Sequence, residues 1–353
     1  MAVNPFMLTD SYSLIKVVEA IDAPAAYLTN LFFAEKNFNM SDIFPVEFIK
    51  KHRRLAPFLV KGSRGVNMSR ERSKVNLYAA PMIGAKRVIG LADISKRMLG
   101  ELPIYSTMTP EDRYAKLQAD DLKDLKRMLI NRREAMASEL LTTGQLKVRG
   151  FADDGSIVDE DTITFDDDWQ VSPQKAWSDP TATIYSDLKT MCDDIAESAG
   201  ELPDVLIISP NVERYLLNNT ELKSWLSMLS NANLHMLNFA PHYTSPQSRF
   251  IGSISSLGLE VYSYGSTYTD DITGDVKKFL PDNCVLIGKA GSGKMLYGRV
   301  DIQKQGQWSS YAAEEVPFYS FNDEAQSSSL TVFSRCLPIL PVLDSIKCLK
   351  VVP

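Results

Sequence analysis

Apolar residues keep a helical rhythm along one unusually long stretch. Tyr114, Leu117, Leu122, Leu125, Met128, Leu129, Met136 and Leu140 fall at spacings that line one face of an α-helix. Thr109 precedes Pro110, with Glu111 and Asp112 behind it. That order caps a helix start and puts negative charge where the helix dipole favours it. Gly144 supplies the stop. Pro110 to Thr143 then makes a rod of roughly 50 Å at about 1.5 Å per residue. The apolar spacing slips at residues 119–121, which allows a break there. Beyond the stop, Gln145 to Phe151 and Ile157 to Phe165 alternate in character around Asp153-Asp154-Gly155, a hairpin signal. Rod and hairpin form a spine to which other segments attach.

The first forty-odd residues mix short apolar groups, Leu28 to Phe33 the stickiest, with polar breaks, as in an arm leaning on another element. From Pro45 to about Pro103 the pattern is of extended pieces, Ala56 to Lys61, Val75 to Ala79 and Lys86 to Leu91, around a Gly-, Ser- and Arg-rich tip at Lys61 to Lys74. A two-stranded ribbon of this kind is marginal in water and needs a surface to lie on. After the spine, Asp179-Pro180 reads as the start of a helix whose face is Ile184, Leu188, Met191 and Ile195, stopped by Gly200. Asp204 to Ser209 is the most apolar strand. Pro210 opens a further helix, and a helical stretch surrounds Trp225. Residues 257–300 are β in texture, with Leu259 to Tyr264, Val276 to Leu280, Cys284 to Gly288 and Lys294 to Val300 as strands between turns. Ser329 to Cys336 and Ile346 to Val352 are strands as well, and the last can dock onto an earlier hairpin.

At 353 residues and 44% hydrophobic content the chain can bury a real core, in two or three structural units. It holds no apolar run of about 18 residues, and Met1 to Asp10 lacks the pattern of a signal peptide, so a cytoplasmic site of synthesis and no membrane are expected. Cys192, Cys284, Cys336 and Cys348 are scattered within or beside apolar segments and read as buried reduced thiols. The net charge of −6 argues against a dedicated nucleic-acid binder. Its distribution says more: Lys50 to Lys74 carries one acid, Glu71, among many Lys and Arg, whereas Ala152 to Asp179 carries one base, Lys175, among many acids. The two segments are complementary.

Gly288-Lys289-Ala290-Gly291-Ser292-Gly293-Lys294 fits the glycine and lysine spacing of a phosphate-binding loop. The hydroxyl residue that must follow is Met295 here, and residues 295–300 read as strand where a helix start is required, so a Gly-rich turn explains the motif. Asp166-Asp167-Asp168 reads as a solvated hairpin end, since consecutive side chains do not converge on one ion. His52, His235 and His242 are too scattered for a metal site. Trp169, Trp177 and Trp225 read as core or interface anchors. No catalytic, cofactor or metal residues emerge.

The order of arm, extended basic loop, spine helix, acidic hairpin, mixed domain and returning strand resembles the tailed-phage, Hong-Kong-97-type capsid fold. In particular the chain is similar to the lambda-like major capsid protein E family. The resemblance is carried by Leu28 to Phe33, Asp179-Pro180-Thr181, Asp204 to Asn211 and above all Lys277 to Asn283 running into Val285-Leu286-Ile287-Gly288. It implies an α+β subunit with an N-terminal arm (1–44), an extended β loop (45–107), a peripheral domain of spine helix and hairpin (108–178), a mixed α/β axial domain (179–325) and C-terminal strands returning to the peripheral domain (326–353). It implies a non-enzymatic major capsid protein that forms hexamers and pentamers of an icosahedral shell around packaged double-stranded DNA, with portal, scaffold and decoration proteins as partners. The virion capsid is then its location, after assembly in the host cytoplasm. A cellular nanocompartment shell of the same fold is the alternative. The expected subunit interface joins Arg64, Arg70, Arg72 and Lys74 of the loop to Asp159, Glu160 and Asp161 of a neighbouring hairpin, with Leu28, Phe32 and Phe33 as apolar contacts of the arm.

Overall fold

The computed structural model describes residues 26–48, 74–95, 109–152, 156–165, 169–222, 237–245, 248–270, 274–304, 306–324 and 326–352, and singly Ile15, Val18, Ile21 and Phe58. Helix α1 (Tyr27–Phe32) leads to strands β1 (Glu35–Phe38), β2 (Ile43–Phe48), β3 (Lys74–Ala79) and β4 (Met82–Ile89), then to a short helix α2 (Leu91–Ser95) and the long α3 (Pro110–Thr143). Next come β5 (Gln145–Phe151), β6 (Ile157–Thr164), β7 (Gln170–Val171), α4 (Ile184–Ser198), β8 (Val205–Ile208) and α5 (Pro210–Asn218). The rest is strand: β9 (Leu237–Ser245), β10 (Ser248–Ile254), β11 (Leu259–Tyr264), β12 (Thr267–Thr269), β13 (Val276–Lys278), β14 (Cys284–Gly288) and β15 (Lys294–Tyr297). The series closes with β16 (Val300–Lys304), β17 (Gln307–Tyr311), β18 (Val316–Asn322), β19 (Ser327–Ile339) and β20 (Ile346–Lys350).

Helix α3 is continuous over its 34 residues. Thr109 Oγ1 accepts the Asp112 N–H at 3.2 Å while Asp112 Oδ2 accepts the Thr109 N–H at 3.1 Å, a reciprocal cap. The Thr109 hydroxyl, which also donates to Oδ2 at 2.8 Å, and then the Thr109 N–H hold the Asp112 carboxyl below the usual carboxylate range. Gly144, at φ +69°, ends the helix and donates its N–H to the Leu140 carbonyl at 2.9 Å. No break occurs at residues 119–121. Where the apolar spacing slips, Asp121 instead meets Arg87 of β4 at 2.7 Å, and Leu122 returns the helix face to the core.

Seven strands form one sheet in the order β7-β20-β14-β8-β11-β10-β9. It is covered on both faces, which is why β8 is buried at all four positions. Leu206 and Ile208 face Ile184, Leu188 and Ile195 of α4 and Val212 of α5, whereas Val205 and Ile207 share a core with Met136, Ala137 and Leu140 of α3. A second sheet runs β1-β15-β19-β18, with β4 also on β19. Leu330 and Val332 of β19 pack on Leu122, Leu125 and Leu129 of α3 and on Val18. The spine thus lies between the two sheets.

Two expectations are corrected. Residues Asp179 and Pro180 do not begin the helix: Asp179 Oδ1 accepts from the Thr181 N–H and Oγ1, each at 2.8 Å, and this turn delays α4 to Ile184. The side-chain acceptor that suits Asp to a helix cap also closes a local turn. The C-terminal strand does not dock on the β5–β6 hairpin. It enters the seven-stranded sheet between β7 and β14, where Ile346, Cys348 and Leu349 are buried. The stretch around Trp225, the strand expected at Ala56 to Lys61, the tip to residue 73 and Asp166-Asp167-Asp168 lie outside the described residues.

Candidate assembly surfaces and the arm junction

The acidic segment sits on β6, exposed from Ile157 through Thr162. Antiparallel register sets Glu160 opposite Arg149, and the two bond at 2.9 Å, while Asp159 faces Gly150 and Asp161 faces Val148. Because strand side chains alternate, Asp159 and Asp161 share one face and Glu160 lies on the other. The three acids are therefore not a single patch. Arg64, Arg70 and Arg72 lie outside the described residues. Lys74 pairs with Phe48 at the outer end of the β2–β3 ribbon.

The root of that ribbon rests on its own subunit's hairpin base. Tyr78 of β3 stacks on Phe165 at 5.0 Å and its hydroxyl donates to the Thr164 carbonyl at 3.3 Å. Phe44 and Val46 of β2 are buried in the same core. A ribbon too weak to stand alone obtains its surface here.

Leu28, Phe32 and Phe33 are 0%, 0% and 1% exposed, inside the same core. They anchor the arm to the core of its own subunit, whereas the sequence suggested apolar contacts at a subunit interface. The sequence could not separate the two cases, since an apolar cluster suits a neighbour's groove as well as its own. What the sequence reading missed are the charges of α3 that receive these segments. Arg133, 5% exposed, forms a salt bridge with Glu315 and donates to the Tyr297 hydroxyl at 3.0 Å and to Glu314 at 3.2 Å. Burial opposes its charge, but Tyr297 and Glu315 outweigh burial and push its pKa up. Glu134, 2% exposed, and Lys126, 8% exposed, both bond to the arm.

The glycine motif at residues 288–294 is a turn between β14 and β15, as its sequence context required. All four cysteines are buried and free, and burial raises the Cys336 thiol to about 11. Trp169 and Trp177 are core residues. Among the described residues no group of His, Cys, Asp and Glu is arranged to hold a metal, and no described helix is long and apolar enough to cross a membrane.

Large apolar side chains are exposed where strands project. Leu77 on β3 is 71% exposed, Val158 near the tip of the β5–β6 hairpin 72%, and Trp308 on the β16–β17 hairpin 70%. In that last hairpin Val300 and Ile302 turn inward onto Val316, while Trp308, opposite Gln303, turns out.

Residues 10–347 match the family model of phage major capsid protein E. The chain is similar to the crystal structure of a prophage capsid protein of E. coli CFT073, with a TM-score of 0.67 and 18% identity over 99% of both chains. It is similar also to a phage-related protein of Bordetella bronchiseptica RB50, with a TM-score of 0.54 and 10% identity over 96% of both. No curated protein matches it. At such identities the two structures establish the fold, and the family model establishes kinship over nearly the whole length. The chain belongs to the phage major capsid protein E family and is a structural protein of the phage capsid, working as part of a multimeric shell.

Proposed function

We propose that this subunit assembles as hexamers and pentamers into the icosahedral head shell of a tailed bacteriophage, in the host cytoplasm, and encloses double-stranded DNA without reading its sequence. Its role is mechanical and not enzymatic. Portal, scaffold and decoration proteins are its partners in the head. The observation that carries this reading is the exposure of Leu77, Val158 and Trp308 on projecting ribbons, whereas among the described residues most other large apolar groups are buried. Such groups are stable in water when neighbouring copies cover them. The acidic net charge suits a lining that confines DNA without gripping it.

Charge complementarity between the basic loop and the acidic hairpin of a neighbour would orient this packing more than strengthen it. Asp159 and Asp161 are the acids placed to act together, since Glu160 is occupied by Arg149. The direct test is to express the chain, measure its mass distribution by light scattering and image large species in negative stain. Closed particles containing DNA are expected; particles filled with cargo protein would point to a nanocompartment, and a monomer that stays monomeric beside the other head proteins overturns the reading. The double variant Arg70→Glu, Arg72→Glu should give a folded, soluble subunit that forms no shells. Normal particles from it would remove the loop from the interface.

A further inference from the structure

Helix α1 has six residues, too few to persist alone in water, and its terminal amides and carbonyls need partners from elsewhere. Both ends receive them. At the N-terminal end Glu134 Oε1 accepts the Leu28 N–H at 2.7 Å, and Oε2 accepts the Thr29 N–H at 2.9 Å and the Thr29 hydroxyl at 2.7 Å. The same carboxylate accepts the Tyr264 hydroxyl at 2.8 Å, from a strand 130 positions away. At the C-terminal end the glycine turn takes over. The Gly291 N–H donates to the Leu31 carbonyl and the Gly293 N–H to the Phe32 carbonyl, both at 2.8 Å. The motif that imitates a phosphate-binding loop does present its amides to oxygens, but these belong to a helix terminus.

The glycines are needed for this approach. A Cβ on Gly293 would lie 2.5 Å from Phe33, and Gly291 adopts φ +69°. After a two-residue link from α1, β1 pairs in parallel with β15, which begins where the glycine turn ends. Upstream, Lys126 Nζ donates to the Val18 and Ile21 carbonyls at 2.6 and 2.9 Å. Glu134 and Lys126 lie about two turns apart on α3, a negative group at helix amides and a positive one at carbonyls.

We propose that Glu134, Tyr264 and the glycine turn form a two-ended latch in which α1 folds only as it docks, so that arm, spine and seven-stranded sheet are joined in one cooperative step. Disturbing either end then releases the whole of α1, whereas independent contacts would loosen only the end that was changed. The geometry of a single subunit carries this, whether or not shells form.

Hydrogen exchange of the full-length chain tests it, with Glu134→Gln, Tyr264→Phe and Gly293→Ala compared with the unaltered protein. Glu134→Gln replaces an acceptor-only group by one that also brings donors, and the Leu28 and Thr29 amides should exchange about tenfold faster or more, the scale of a lost bond to a charged group. Gly293→Ala should speed exchange at those same amides, although it sits at the opposite end. Tyr264→Phe keeps the ring that stacks on Tyr27 at 5.3 Å and removes only the hydroxyl, so faster exchange in α1 here reports the link to the sheet. Unchanged protection in α4 certifies the fold of each variant. Exchange at Leu28 and Thr29 unmoved by both Gly293→Ala and Tyr264→Phe overturns the latch, even if Glu134→Gln fails to fold.

Discussion

Arg133 and Glu315 are 5% and 6% exposed and face each other between α3 and the connection that leads from β17 into β18. Two desolvated charges gain little net stability when paired, but either alone is costly. Glu315→Ala should therefore lower unfolding stability by about 3–5 kcal/mol, read by urea denaturation. The double variant Arg133→Met, Glu315→Leu should recover most of that loss, because it removes the stranded charge together with its partner. A double variant as unstable as the single one would mean that Arg133 matters chiefly through Tyr297 and Glu314.

At the scale of elements, α3 holds the molecule together because successive stretches of it serve different neighbours. Its first turns reach Tyr319 of β18 and Ser328 of β19 through Tyr114, its middle meets Arg87 of β4 and packs on Val332 of β19, and its last turns lie under β8 and β14. Thr109→Ala removes a cap at an exposed end and should cost about 1 kcal/mol. Leu129→Ala opens a cavity between helix and sheet and should cost about 2–5 kcal/mol. Its neighbour Met128 is 49% exposed, and truncation there should cost far less. Thermal unfolding of the three variants gives the order directly; equal losses at Leu129 and Met128 would contradict the packing of this face.

For the whole molecule the exposed apolar groups matter more than stability. Trp308→Ser touches no core contact, so the subunit should keep its stability within about 0.5 kcal/mol. Shell yield, measured by sedimentation, should nevertheless fall, as expected when an aromatic anchor leaves an interface. Undiminished yield would place Trp308 on a free surface of the shell. The proposed pairing of charged loop and hairpin predicts that assembly also slows as ionic strength rises, since exposed charges are screened within about 10 Å at 0.1 M salt.

The sequence by itself determined the elements whose signals are local. Helix α3 follows from its cap, period and terminal glycine, β11 and β14 from short apolar runs between turns, and Met295 with the strand pattern after it spoke against a phosphate-binding loop. The resemblance carried by Lys277 to Gly288 supplied the family, which spacing and composition do not. Only the tertiary structure decided which partners satisfy each group. Asp179 spends its carboxylate on a turn, β20 finds two strands that bury it, and Leu28, Phe32 and Phe33 enter their own core. Glu134 and Lys126 give no signal in the sequence, because periodicity registers apolar faces and is blind to what faces a charge. Their partners lie a hundred or more positions away, and only the fold brings those atoms within bonding distance.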